Sequence, residues 1–347
     1  MDGAALPTPR GMFITVAICT FNRAESLRRT LDSLVAMETS NAVAWELIVV
    51  NNDGTDHTNA VTIEYLDRLP LRREFEPNPG LSNARNRAVD VARGQYIVWT
   101  DDDVVVKPGW LTAYVEAFRS WPDAVVFGGR ITPRYEPPVV PWVAESEELL
   151  GGPFAIRDFG EEVQRLCIAE DRIPYGANFA LRAAEQRNFK YDPNLGLAPN
   201  RTRYGDEVEV LTRLLGSGAT GYWIPEAAVE HCIGRDRQTV HYVAAHYKGW
   251  GQTCAYLNEG IAEAPLLFGV PRRIWPRLIL WWLLYRLSSP VSPARVWVKY
   301  LKAYYYNKGV LEYWRKPQVE RYLPDRISSV TGSLQDVDQQ RYKPLCE

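Results

Sequence analysis

Between Phe13 and Cys19 the chain is almost wholly apolar and rich in β-branched residues, the pattern of a strand buried on both faces. From Arg23 to Met37 the period changes, and Leu27, Leu31, Leu34 and Val35 fall at helical spacing. Glu46 to Val50 predicts a second buried strand, ending in the polar turn Asn51-Asn52-Asp53-Gly54. Thr58 to Leu69 reads as helix, and Ser82 stands where it can cap a helix running to Arg93. Gln95 to Thr100 is a further strand that runs directly into Asp101-Asp102-Asp103. Lys107-Pro108-Gly109 then opens another helix, with Pro near its first turn.

Strands alternating with helices imply an α/β fold, a mostly parallel sheet flanked by helices. Ligands of such sheets bind beyond the carboxyl ends of the strands. The polar clusters Thr20-Phe21-Asn22-Arg23, Asn51 to Asp56 and Asp101 to Asp103 fall at those ends. Prolines at 133, 137, 138 and 141 predict an irregular excursion from Pro133 to Pro174, placed to shape an acceptor pocket. Regularity returns at Ala177 to Leu181. Gly205 to Leu215 reads as a helix with an acidic first turn, and Trp223 to Cys232 as a strand interrupted at Pro225. Beyond Thr239 the pattern is helical and rich in Trp and Tyr.

Net charge is −2, from 40 basic and 42 acidic residues, which argues against bulk nucleic-acid binding. Cys19, Cys167, Cys232, Cys254 and Cys346 are scattered without paired spacing, as expected of reduced thiols rather than a zinc site. Met1 to Gly11 lacks the layout of a signal peptide, and no run is long enough to span a bilayer. A cytoplasmic protein is the expectation, at the inner face of the membrane if its tail binds lipid.

Three adjacent carboxylates repel one another, so a cation or donor groups must neutralise them. Hard Mg²⁺ or Mn²⁺ prefers oxygen ligands and bridges to phosphates. A solvated acidic turn is the plainer alternative, but the position straight after a strand favours function. Gly205-Asp206-Glu207-Val208-Glu209 suits a helix dipole, and it also offers a carboxylate to deprotonate a hydroxyl. His231 fits a metal ligand, a phosphate contact or a satisfied structural residue. Arg235, Arg237 and Thr239 follow, as diphosphate contacts or as a solvated basic loop.

Taken together, Val16 to Arg23, Glu46 to Thr58, Asn78 to Trp110 with Gly80 and Ala84-Arg85-Asn86, Gly205 to Glu209 and Pro225 to His231 resemble family 2 glycosyltransferases of the GT-A fold. The resemblance covers roughly Phe13 to Gly251. It implies a GT-A catalytic domain at 12–240, with a nucleotide-sugar half at 12–125 and an acceptor and base half at 126–240. A helical region at 241–347 follows. It also implies inverting transfer of a hexose from a nucleotide diphosphate sugar, with a UDP-sugar as the first donor to test. The acceptor would be a saccharide or lipid-linked saccharide of cell-surface polysaccharide synthesis, and the cofactor Mn²⁺ or Mg²⁺.

On that resemblance Thr20, Asn22, Arg23, Asn51, Asp53 and Arg85 lie near the nucleotide or diphosphate. Asp101 and Asp102 face the ribose or donor sugar, Asp103 and His231 hold the metal, and Glu207 is the base with Asp206 as alternative. Two features depart from the family pattern: Asn51 stands where an Asp is usual, and the acidic pair is Asp-Glu rather than Glu-Asp. A nucleotidyltransferase is the weaker alternative, since no Gly-rich phosphate loop stands between Cys19 and Leu27. A non-catalytic saccharide-binding scaffold is the other.

The tail mixes Trp and Tyr with cations, as in Trp275 to Arg286 and from Trp297 to Lys316. Such a mixture suits a membrane headgroup region, or a helical appendage packed on the catalytic domain or a second subunit.

Overall fold

A computed structural model describes residues 12–39, 43–199, 201–258 and 265–316. Cys346 and the rest of 317–347 lie outside the described residues. In chain order the strands are β1 (Phe13–Thr20), β2 (Ala44–Asn51), β3 (Leu71–Phe75), β4 (Tyr96–Thr100), β5 (Val104–Val106), β6 (Val126–Tyr135), β7 (Gln164–Arg165), β8 (Asn178–Arg182), β9 (Leu197–Ala198), β10 (Arg201–Thr202), β11 (Gly221–Ile233), β12 (Leu266–Leu267) and β13 (Val270–Pro271). The helices are α1 (Ala24–Val35), α2 (Thr58–Ile63), α3 (Leu81–Val91), α4 (Trp110–Ser120), α5 (Pro141–Glu145), α6 (Ala183–Asn188), α7 (Asp206–Gly216), α8 (Val240–Leu257), α9 (Ile274–Ser288) and α10 (Ala294–Arg315).

One sheet carries the fold, in the order β3-β2-β1-β4-β8-β6-β11-β5, with β7 also on β11. The first four strands are parallel, β8 is antiparallel to both neighbours, and β6 and β11 are again parallel. Both faces are buried, which explains the continuous apolar runs. In β1, Ile14, Val16 and Ile18 enter one core with Leu27, Leu31 and Trp110, while Ala17 enters the other with Ala84, Ala88 and Leu211.

Several boundaries differ from the sequence pattern. The helix expected over Thr58 to Leu69 ends at Ile63 and gives way to turns. Ser82 is not a cap: α3 starts at Leu81 with Gly80 as its N-cap, and Ser82 Oγ donates to the Leu195 carbonyl at 2.8 Å. Pro133 belongs to β6 rather than to the excursion. β8 has already left that side of β6 beyond Gly128, so the absent N–H breaks no ladder bond there.

Pro225 does not divide β11. The strand continues, with its register on β6 shifting between Ile224 and Val229. Asn178 fills the gap: its Nδ2 donates to the carbonyls of Ala227 at 2.6 Å and Arg130 at 2.9 Å. Its Oδ1 accepts from Trp110 Nε1 at 2.8 Å and the Tyr114 hydroxyl at 2.9 Å. A fully satisfied buried amide thus holds the two halves of the sheet together.

Beyond the sheet, α8 and α10 cross at backbone contact. A Cβ on Gly251 would stand 2.0 Å from the Tyr306 carbonyl oxygen, and one on Gly309 would stand 1.9 Å from that of Lys248. Among the described residues, no helix is long and apolar enough to cross a membrane.

Candidate active site

The carboxyl ends of β1 and β4 open into a cavity of about 1780 Å³ that takes in Thr20, Arg23, Asp101, Asp206, Glu207 and His231. Strand β4 ends at Thr100, and the chain must turn before β5 pairs with the far end of β11. The three aspartates make that turn, so the sheet itself delivers them to the cavity.

Asp102 is buried, with Oδ1 3.1 Å from Arg23 Nη1. Burial pushes its pKa up to about 6, with Arg23 opposing and Asp103 adding to the rise. Asp103 Oδ2 accepts from Arg23 Nη1 at 3.1 Å and from Arg237 Nη2. Burial works against its charge, yet Arg237 and Arg23, joined by His231 when that ring is protonated, outweigh it and hold the carboxyl well below the usual range. Asp101 is more open and stands 3.7 Å from Arg85 Nη2.

His231 is oriented from behind. Its Nδ1–H donates to the Phe154 carbonyl at 2.5 Å, which in the neutral ring leaves a lone pair on Nε2. That lone pair meets Arg237 Nη1 at 3.0 Å and faces Asp103 Oδ1 at 3.3 Å. Asp103 Oδ1 is buried without an aligned hydrogen-bond donor. Two lone pairs facing each other in a buried pocket fit a cation between them, and the carbonyl anchor is the support that metal-binding imidazoles have. Among the described residues no group of three or more His, Cys, Asp or Glu side chains is arranged to hold a metal ion. These two donors therefore suit a cation that completes its shell with phosphate oxygens and water.

Across the cavity, Arg85 is buried and joins the two acidic groups. Its Nη1 lies 2.7 Å from Asp206 Oδ2 and 3.4 Å from Glu207 Oε2. Glu207 Oε1 accepts from the Gly176 amide at 3.2 Å. Burial, then Asp206, push the Glu207 pKa up to about 7, against the pull of Arg85. The structure thus brings Asp101 to Asp103, Arg85, Asp206, Glu207 and His231 together.

Others stand back. Asn22, with φ +53°, accepts at Oδ1 from the amides of Thr55 and Asp56 at 2.7 and 3.2 Å. Asn51 Oδ1 accepts from the Gly54 amide at 2.9 Å, and Asp53 is an exposed turn residue with φ +59°. These three shape the rim and do not line the cavity. Asn52 does line it, held by Gly80 N donating to its Oδ1 at 2.8 Å and by its own donation to the Asn78 carbonyl at 2.8 Å. Nothing in the turn's sequence separates Asn52 from Asn51; the contacts of Asn52 with the segment from Glu76 to Gly80 do. Arg235 turns away to the Pro138 carbonyl, whereas Arg237 enters the site.

Comparison with known proteins follows the same lines. Residues 15–183 match the model of glycosyl transferase family 2. A succinoglycan biosynthesis protein of Rhizobium meliloti (strain 1021) is 26% identical over 246 residues, 70% of this chain and 74% of that protein. A glucosyl-dolichyl phosphate glucuronosyltransferase of Haloferax volcanii is 27% identical over 232 residues, 63% of this chain and 69% of that one. Among solved structures, a mannosyltransferase from Pyrobaculum calidifontis in complex with GDP-Man and Mn²⁺ shares the fold. It has a TM-score of 0.57 at 17% identity, over 88% of each chain.

Proposed function

The chain is a family 2 glycosyltransferase of GT-A fold that uses a nucleotide-sugar donor, and from that premise we propose an inverting transfer to an acceptor hydroxyl. The observation that carries the reading is the pair of acidic groups, Asp101 to Asp103 and Asp206-Glu207, facing one cavity across Arg85. In this reading the catalytic domain spans 12–240 and a second region, 241–347, follows it, its described part being helical over α8, α9 and α10.

Asp103 and His231 would hold a divalent cation, Mn²⁺ or Mg²⁺. When bound, that ion supplies positive charge to the diphosphate leaving group. Arg23 and Arg237, already paired with Asp103, add donors for the same phosphates. Thr20, Asn52, Asp101 and Asp102 line the donor side, while Asn22, Asn51 and Asp53 support its rim. Glu207 takes the proton of the acceptor hydroxyl, whose oxygen attacks the anomeric carbon from the face opposite the leaving group. Asp206 is less accessible and holds Arg85, which orients both carboxylates. A pKa near 7 suits a general base.

The acceptor in this reading is a saccharide or lipid-linked saccharide. Exposed Ile279, Leu280, Trp282, Leu283 and Leu287 on α9 support peripheral membrane contact.

Calorimetric titration of nucleotide diphosphates and their sugars, with and without Mn²⁺, tests the proposal. Wild type should bind one nucleotide in a metal-dependent way that Asp103→Ala abolishes. A folded protein that binds none of them would sink the transferase mechanism and favour a saccharide-binding scaffold.

A further inference from the structure

The cavity does not stop at the carboxylates but continues to the α9–α10 hairpin. Arg295, Lys299 and Lys302 sit at i, i+4 and i+7 on α10, one helical face, and all three line the cavity. Arg273 and Arg277, four residues apart at the start of α9, line it too. Among the described residues none of these five forms an ion pair with a carboxylate, although Lys248 on the neighbouring helix pairs with Glu312 at 3.4 Å. Unpaired cations on a concave wall focus positive potential where a ligand sits.

A continuous ring path links this wall to the base. Tyr204, just before Asp206, packs on His246 with ring centroids 4.2 Å apart, and His246 meets Tyr247 at 5.7 Å. Lys302 Nζ stands 5.3 Å from the centre of the Tyr247 ring. On the far side of the hairpin, α9 turns Ile279, Leu280, Leu283 and Leu287 outward, and Phe268 on the preceding turn is 84% exposed. Carboxylate base, aromatic path, cations and exposed apolar helix therefore follow one another in space.

We propose that Arg273, Arg277, Arg295, Lys299 and Lys302 form a binding site for the phosphate of a lipid-linked acceptor. Its sugar reaches Glu207 past Tyr204 and His246, and its lipid stays against α9. The inference rests on the transferase reading for the sugar end only. Phosphate recognition by the cationic wall is independently measurable.

The test is co-sedimentation of the full chain with phosphatidylcholine vesicles carrying phosphatidic acid, a phosphomonoester lipid. Vesicles of equal surface charge made with phosphatidylserine are the comparison, and soluble pyrophosphate is the competitor. Wild type should prefer phosphatidic acid, and pyrophosphate should release it. Arg295→Gln and Lys299→Gln, at exposed positions that tolerate substitution, should each weaken binding roughly fivefold. Arg119→Gln, an exposed cation outside the cavity, should not. Equal binding to both charged vesicles, or indifference to the two α10 substitutions, overturns the proposal. Pyrophosphate binding that Arg295→Gln and Lys299→Gln weaken, with no gain from vesicles, overturns the lipid-linked assignment. Wild type that binds nucleotide diphosphates but neither phosphate probe refutes this site and leaves the transferase reading standing. The reverse result refutes the transferase reading alone.

Discussion

Arg85 and Asp206, 121 positions apart in the chain, meet at 2.7 Å with both side chains almost fully buried. The pair ties α3 to the first turn of α7 and sets the position of Glu207 beside it. Removing one partner strands a charge in the interior. Arg85→Met should therefore lower stability by about 3–5 kcal/mol in denaturant unfolding. Adding Asp206→Asn to that variant should recover part of the loss; no recovery would mean that the pair is not what holds Arg85.

Glu207→Gln keeps shape and removes the base. Turnover should fall roughly a hundredfold to ten-thousandfold while nucleotide binding stays near wild type. Near-normal turnover in both Glu207→Gln and Asp206→Asn would exclude either residue as the base.

A Glu207 pKa of about 7 sets the pH profile. The ionised form accepts the proton, so kcat/KM should rise about tenfold per pH unit below pH 7 and level off above it. Stability moves the other way. The folded carboxyl holds its proton more tightly than an unfolded one, whose pKa is 4.5. This group's contribution is full below that value and is lost as pH rises through about 7. Glu207→Gln should flatten the rate profile and gain Tm over wild type as pH rises through that window; parallel Tm curves would count against the shift.

Asp103→Ala removes the carboxylate that Arg23 and Arg237 share. Metal-dependent nucleotide binding should vanish, as read by titration with Mn²⁺. Retained metal dependence would move the cation away from Asp103 and His231.

At the α8–α10 crossing, Gly309→Ala drives a methyl into the Lys248 carbonyl. The helices must separate, and stability should drop by about 1–3 kcal/mol in thermal or denaturant unfolding. A neutral result would show that α10 shifts freely on α8.

The sequence by itself determined the α/β alternation, the strand that runs into Asp101, and the acidic start of α7. Those signals are local: side-chain period and adjacency along the chain specify them before any long-range contact forms. Family resemblance added roles for them, read from motifs in a fixed order. Only the tertiary structure decided which polar residues share a cavity. Asn51 and Asn52 are neighbours with the same side chain, yet only Asn52, one residue past the end of β2, lines the cavity. Arg237 reaches Asp103 across 134 positions, and the Phe154 carbonyl, 77 positions away, sets the face that His231 presents. The cations of α9 and α10 read as a mixed aromatic tail until packing turns five of them to one wall. Period tells which residues share a face, but not what that face meets. Which faces meet follows from burying all of them at once around one sheet.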